Sequence, residues 1–428
     1  MVRDIKRKML LDEASVVEIF DSNGCNRINI SMLLNFLHTM TSAGKLWRAF
    51  LKDPECDFSS IPEFPRRIAA QVERDLVRIS STVTSVHESV DGTVKMLIKL
   101  QDGHEVETVI IDHTSRRDDE STDEDDGKHA NGRLTLCVSS QIGCRMACKF
   151  CATGTLGLSG NLMAGEIVEQ LWHASQVRKG ISNIVFMGMG EPLENYDNVI
   201  AAIRAFSDVY RFHIAPSCIT VSTVGVTSNI YKLMEDCPSV HLALSLHAPN
   251  QAIREQIVPT AKSWHMDELM RAVDYYNTNQ KYKGKKQGRI MIEYVVIRDL
   301  NDSEECAHEL GQLLQARKCM VNLIPFNPFD GNSFREPSQD VLDKMLTIVS
   351  SYGVITIKRK HHGRDIAGAC GQLAKISKDI EDMDGTCGVN IEPSNLSIIQ
   401  TPPSVNPLFL LTPIPLYLAL VLVHRFTR

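Results

Sequence analysis

The sequence predicts an α/β fold: a partial (β/α)6 barrel with a small N-terminal helical region and an antiparallel β extension. Three observations carry that prediction. From residue 133 onward, six apolar runs alternate with six amphipathic stretches, the pattern of parallel strands joined by crossover helices. Upstream, runs of period two are separated by Asp91-Gly92 and Asp102-Gly103, dipeptides suited to tight hairpin turns. Finally, unusual residues gather where predicted strands end, on the rim where barrels assemble sites.

Taken in order, residues 1–80 read as a helical accessory region, with an amphipathic piece at "FPRRIAAQVERDLVRI" (64–79). Residues 81–112, "STVTSVHESV", "TVKMLIKL" and "EVETVII", read as a small antiparallel sheet. An acidic insertion follows at 113–132. The core spans 133–375, and a tail runs over 376–428. Within the core the expected strands are "LTLCVSS", "ISNIVFMG", "SCITVST", "SVHLALSL", "RIMIEYVVI" and "CMVNLIPF", each followed by a helical stretch.

Composition narrows the function classes. The chain has 428 residues and a net charge of −6, with 43% hydrophobic residues, as in an ordinary soluble globular protein. A negative balance speaks against nucleic-acid binding at first sight. Most of it, however, lies in "RRDDESTDEDD" (116–126), which reads as a solvated loop. The near-neutral remainder holds two basic stretches, "KYKGKKQGR" (281–289) and "KRKHHGR" (358–364).

Twelve cysteines without a secretory signal point to a reducing compartment and to free or metal-bound thiols. The cytoplasm is expected. The apolar run "PLFLLTPIPLYLALVLV" (407–423) is short for a spanning helix and broken by Pro407, Pro413 and Pro415. No membrane partner is expected from it.

The chemistry concentrates in "GCRMACKFCATG" (143–154), after the first core strand. Cys144, Cys148 and Cys151 offer three soft ligands at spacings of four and three. A structural zinc site takes four ligands, whereas three thiolates suit an iron–sulfur cubane with one iron left open. That iron can chelate the amino and carboxylate groups of a small molecule. Other strand ends carry "GMGEP" (188–192), Ser222, Ser245, His247 and Asn327. Alone, each is an ordinary turn or cap residue; on one rim they suggest a site.

A CxxxCxxC loop after the first strand of a partial barrel resembles the radical S-adenosylmethionine superfamily. The motifs "TLCVSSQIGC", "MGMGEPLENYDNV", "LSLHAPN", "NLIPFNPF" and "ACGQL" narrow this. Over residues 81–375 the chain resembles the adenine C2-methyltransferases of ribosomal and transfer RNA. The resemblance implies a [4Fe–4S] cluster on Cys144, Cys148 and Cys151. It implies S-adenosylmethionine held by Gly190, Glu191, Ser222, Ser245, Leu246, His247 and Asn327, with two molecules consumed per turnover. One methylates Cys370; the other, cleaved at the cluster, yields a radical that takes hydrogen from that S-methyl group. The resulting methylene radical adds to C2 of adenine, Glu107 accepts the C2 proton, and Cys137 attacks Cys370 to release the product and leave a disulfide.

The partners so implied are ribosomal RNA, transfer RNA or both, and a flavodoxin- or ferredoxin-like electron donor; a monomer is expected. Lys358, Arg359, Lys360 and Arg364 are candidates to steer the RNA backbone. Two rival readings stand beside this one. They are an adenine C8-methyltransferase of the same architecture and a catalytically silent RNA-binding protein that keeps the cluster for structure.

Overall fold

The computed structural model describes residues 3, 5, 7–23, 31–113, 133–282, 285–286, 289–374 and 389–390. The acidic run 116–126 and the apolar run 407–423 lie outside the described residues. The described residues belong to one compact unit, Met1–Leu396.

Three helices open the chain: α1 (Glu13–Ser22), α2 (Ser31–Lys52) and α3 (Arg66–Asp75). Asp12 caps α1, its carboxylate accepting from Ser15 N–H at 3.1 Å, which satisfies a helix-end donor that would otherwise lack a partner. Trp47 anchors this region. Its indole N–H donates to the Leu10 carbonyl at 2.9 Å, and the Arg211 guanidinium stacks over its ring at 4.0 Å.

Ten strands then build a single sheet, in chain order: β1 (Thr82–Glu88), β2 (Val94–Lys99), β3 (Glu105–Asp112), β4 (Leu134–Cys137), β5 (Ile181–Phe186), β6 (Ile219–Thr223), β7 (His241–Ser245), β8 (Ile290–Val296), β9 (Cys319–Pro325) and β10 (Ile355–Lys358). Each pairs with its neighbours in sequence, and Val389–Asn390 adds antiparallel to Glu88 and His87 at the β1 edge. From β4 to β10 every pairing is parallel; from β1 to β4 every pairing is antiparallel. The partial barrel is therefore continuous with the antiparallel extension.

The six crossovers carry α4 (Ala164–Val177), α5 (Tyr196–Ser207), α6 (Thr227–Asp236), α7 (Met266–Asn279), α8 (Glu304–Leu314) and α9 (Gln339–Ser351). Helix starts follow local chemistry, as with Ser303 before α8 and Ser338 before α9, whose hydroxyls accept from Cys306 N–H and Val341 N–H. A parallel strand is covered on both faces, so its side chains alternate between helix layer and barrel interior. On β8, Ile292, Tyr294 and Val296 alternate with Glu293 and Val295, and all five are buried. Two expectations need extension. A seventh parallel strand, β10, follows α9, and the loop after β4 contains its own hairpin, Gln141–Gly143 against Leu158–Asn161.

Candidate active site

That hairpin frames the cysteine loop. Gln141 pairs with Asn161 and Ile142 with Gly160, and the loop closes where Cys144 N–H donates to the Gly157 carbonyl at 2.7 Å. Gly143, at φ +74°, makes the turn possible, because a Cβ there would lie 1.9 Å from the Gly157 oxygen. The hairpin also fixes the neighbouring strand end. The Gln141 side chain accepts from Glu191 N–H at 2.8 Å and donates to Asn161 Oδ1 at 2.8 Å. Gly190, at φ +102°, packs so closely on Gln141 that an added Cβ would meet its Cβ at 2.5 Å.

Cys144, Cys148 and Cys151 border one cavity of about 790 Å³, counted with its open mouth. Burial pushes the Cys144 thiol up to about 12 and raises Cys148 and Cys151 as well. Three such thiols ionise only with a cation among them. Among the described residues, no three thiol, imidazole or carboxylate groups are gathered to hold a single metal ion. The three thiols border the cavity together, as ligands to different irons of a cluster do. Soft donors around a shared hollow fit a [4Fe–4S] group.

The polar strand ends complete the wall. Gly190, Glu191, Ser222, Ser245 and His247 all line the cavity. Ser222 and Ser245, on adjacent strands, stand with their hydroxyls 3.4 Å apart. Glu191 is buried, and its two oxygens accept from Leu193 N–H at 3.0 Å and Val224 N–H at 2.9 Å. Burial lifts its carboxyl to about 7. His247 sits at φ +58°, with its ring 4.4 Å from that of Phe150. Its Nδ1 accepts from Val295 N–H at 3.0 Å, so the neutral ring carries its proton on Nε2. Burial holds it neutral, with its pKa lowered to about 3.

Cys370 reaches the same cavity from the segment after β10. Ala152 N–H donates to the Gly371 carbonyl at 2.7 Å, and the Thr153 hydroxyl donates to the Leu373 carbonyl at 2.5 Å. The Cys370 segment is thus bonded directly to the cysteine loop. Cys137, at the end of β4, is buried, and both thiols are free. Burial raises both thiols, taking Cys137 to about 12, and the charge of Cys370 adds to the shift at Cys137.

Other expected site residues stand outside the cavity wall. Leu246 is fully buried core, and its carbonyl accepts from Arg254 Nε at 3.2 Å. The Asn327 side chain is engaged elsewhere, donating to the Cys370 carbonyl at 2.9 Å while its Oδ1 meets His361 Nδ1 at 2.8 Å. It holds the Cys370 segment. Glu107 lies on β3, buried, in an ion pair with Lys95 at 3.2 Å.

The basic stretch 358–364 needs correction. Lys358 pairs with Asp343 and Arg364 with Glu336, both at the surface, where such pairs are weak but neutralise the charge offered to a phosphate. Arg359 turns inward and lines the cavity. Sequence reasoning also passed over Glu293, another cavity-lining residue. The available signal was a lone acid inside the apolar run "IMIEYVV": a parallel strand is covered on both faces, so a charge there has to face something polar.

A site of this kind defines an enzyme class that combines an iron–sulfur cluster with a sulfonium nucleoside. A family match and one solved structure support this class. Residues 138–310 match the Radical SAM superfamily. A radical SAM methyltransferase from Sphaerobacter thermophilus is 32% identical in sequence. That match covers 86% of this chain and 99% of the other, with a TM-score of 0.70. A domain of pyruvate-formate lyase-activating enzyme from Bacteroides vulgatus ATCC 8482 matches at 15% identity, over 42% of this chain and 99% of that one, with a TM-score of 0.31. The chain belongs to the radical SAM superfamily, in the methyltransferase family that the Sphaerobacter protein represents. Its cofactors are a [4Fe–4S] cluster and S-adenosylmethionine. Cys144, Cys148 and Cys151 are the residues that would hold the cluster, which when bound supplies the electron for reductive cleavage of the sulfonium. No helix among the described residues is long and apolar enough to cross a membrane.

Proposed function

We propose that this protein methylates C2 of an adenosine in ribosomal RNA, transfer RNA or both, with Cys370 as methyl carrier and Cys137 as resolving thiol. One observation carries the reading: Cys370 opens into the same cavity as the three cluster cysteines. A carrier thiol so placed can take a methyl group from S-adenosylmethionine, its sulfur displacing S-adenosylhomocysteine. The carbon at C2 lies between two ring nitrogens and is electron-poor, so it does not attack a sulfonium methyl by itself. A carbon already bonded to Cys370, activated by loss of one hydrogen atom, can add to it.

In this reading the chain's residues have separate tasks. Glu191, Ser222, Ser245 and the Nε2–H of His247 grip S-adenosylmethionine. Asn327 holds the Cys370 segment at its carbonyl, and Glu107, buried beside Lys95, takes the C2 proton. The adduct gives up its unpaired electron to the one-electron carrier. Cys137 then forms a bond to the Cys370 sulfur while the carbon–sulfur bond breaks toward the base, the Cys137 proton passing to the freed carbon to complete the methyl group. The Cys137–Cys370 disulfide formed is reduced by external thiols, and a flavodoxin- or ferredoxin-like donor supplies the single electrons. The test is anaerobic incubation of reconstituted enzyme with RNA, followed by nucleoside mass spectrometry. 2-Methyladenosine is the expected product; 8-methyladenosine as sole product overturns the position, and unmodified RNA overturns the activity.

A further inference from the structure

The cavity wall holds an acid and a base that neither the cluster nor the thiols account for. Glu293 on β8 pairs in register with Ser245 on β7 and Asn322 on β9, so the three form one row across the sheet. Asn322 donates to Glu293 Oε2 at 2.9 Å. Glu293 Oε1 is buried and has no hydrogen-bond partner among the described residues. Arg359, which follows β10, approaches Oε2 only to 3.8 Å, beyond hydrogen-bond reach. Both Glu293 and Arg359 line the cavity with Cys370.

A buried acceptor oxygen without a partner, Glu293 Oε1, therefore stands beside the guanidinium donor of Arg359. The ligand that fills them offers an N–H next to a ring nitrogen acceptor. That is the amidine edge of an adenine, whose amino group donates and whose adjacent nitrogen accepts. We propose that Glu293 and Arg359 form an adenine-reading site, with Asn322 positioning Glu293. Two adenines can enter this cavity, that of S-adenosylmethionine and that of the RNA. Arg359 interacts electrostatically with Cys370 and Cys137, which places the pair at the carrier end, where the target base has to arrive. The assignment to the target base rests on the methyl-carrier reading above.

The experiment compares two short RNAs, one with adenosine at the target position and one with purine ribonucleoside, which lacks the amino group. Equilibrium binding and kcat/KM are measured for both, with the native chain and with Glu293→Met, Glu293→Gln and Arg359→Lys. The ratio between the two RNAs is internal to each variant, so a general loss of folding cancels; thermal unfolding and cluster absorbance are followed alongside. The native chain prefers adenosine by about tenfold or more, and Glu293→Met brings that ratio close to one. Should Glu293→Met fail to fold, Glu293→Gln and Arg359→Lys each lower the ratio at least threefold.

Equal use of both RNAs by the native chain overturns the proposal, as does a ratio unchanged in folded variants. Weakened S-adenosylmethionine binding with an unchanged RNA ratio assigns the pair to the cofactor's adenine and overturns the target-base assignment. If the native chain leaves adenosine RNA unmodified but the variants still lower the RNA binding ratio, the reaction is misread and the reading site stands.

Discussion

The two halves of the sheet differ in what their strand ends can do. From β4 to β10 all strands run one way, so all their C-terminal ends meet at one rim, and that rim becomes the cavity wall. From β1 to β4 the direction alternates, so no shared rim exists. Its polar residues serve as a brace instead. The Asp91 carboxylate accepts from Gly363 N–H at 2.9 Å, Ser89 donates to Asp365, and Lys95 Nζ reaches the Ala367 carbonyl at 3.5 Å. These contacts lead directly up to Cys370. The parallel half lines the cavity, and the antiparallel half is bonded to the segment that leads to Cys370.

Substitutions can separate these two duties. The largest effect is expected in the parallel half: Cys148→Ala removes a cluster ligand, abolishes the brown absorbance of the reconstituted protein and abolishes methylation. Cys370→Ala is expected to abolish methylation as completely while leaving that absorbance intact, because the carrier is not a cluster ligand. Retained absorbance in the first variant, or retained methylation in the second, breaks the assignment. Cys137→Ala, lacking the resolving thiol, should accumulate RNA covalently attached to Cys370, visible as a shifted band on a denaturing gel.

A smaller effect is expected from the brace. Asp91→Ala removes the hydrogen bond to Gly363, a loss of about 1 kcal/mol that lowers Tm by roughly 2 °C. It should lower kcat while leaving S-adenosylmethionine affinity unchanged. An altered cofactor affinity with normal kcat would argue that the two halves do not divide the work in this way.

The smallest effect concerns the junction between the halves. Glu169 on α4 accepts from Ser80 N–H at 2.9 Å and from Ser81 N–H at 3.0 Å, just before β1. His173, one turn on, meets the Ser81 hydroxyl at 3.0 Å. Burial raises the Glu169 carboxyl to about 7 and lowers His173 to about 4. A raised carboxyl binds more protons folded than unfolded, so its contribution is present below pH ~4.5 and lost as pH rises toward 7. A lowered imidazole does the reverse: its contribution is present above pH ~6.5 and lost on acidification toward 4. Between these limits the two oppose each other, and the native urea midpoint should vary little from pH 5 to 6.5. Glu169→Gln leaves only the imidazole, so its midpoint should fall on acidification over that range. A flat profile in the variant would show that these groups do not govern the junction.

Much of this division could be read in the chain itself. The alternation of apolar runs and amphipathic stretches marked six of the seven parallel strands, because each run is covered on both sides and consequently apolar. β10 escaped notice because it is a four-residue edge strand, "ITIK", mostly exposed, and so lacks that signature. The cysteine loop was legible because few structures need three thiols so close together. Glu293 and Arg359 were not, since each becomes informative only when its neighbours are known. The lone acid in β8 is explained by the row it shares with Ser245 and Asn322. The arginine of a basic cluster turned out to face inward while the flanking Lys358 and Arg364 pair with surface acids. Glu107 is buried beside Lys95, a placement that depends on the pairing of β2 with β3.

The bonds joining Ala152 to Gly371 and Thr153 to Leu373 have a further consequence. Positions more than two hundred residues apart are joined by one backbone bond and one bond from the Thr153 hydroxyl, so the cysteine loop and the Cys370 loop share one fate. Protein starved of iron should lose order in both places, and a protease would find the chain near Gly371 sooner than in the metal-loaded form. Metal delivery would then be the step that completes the fold.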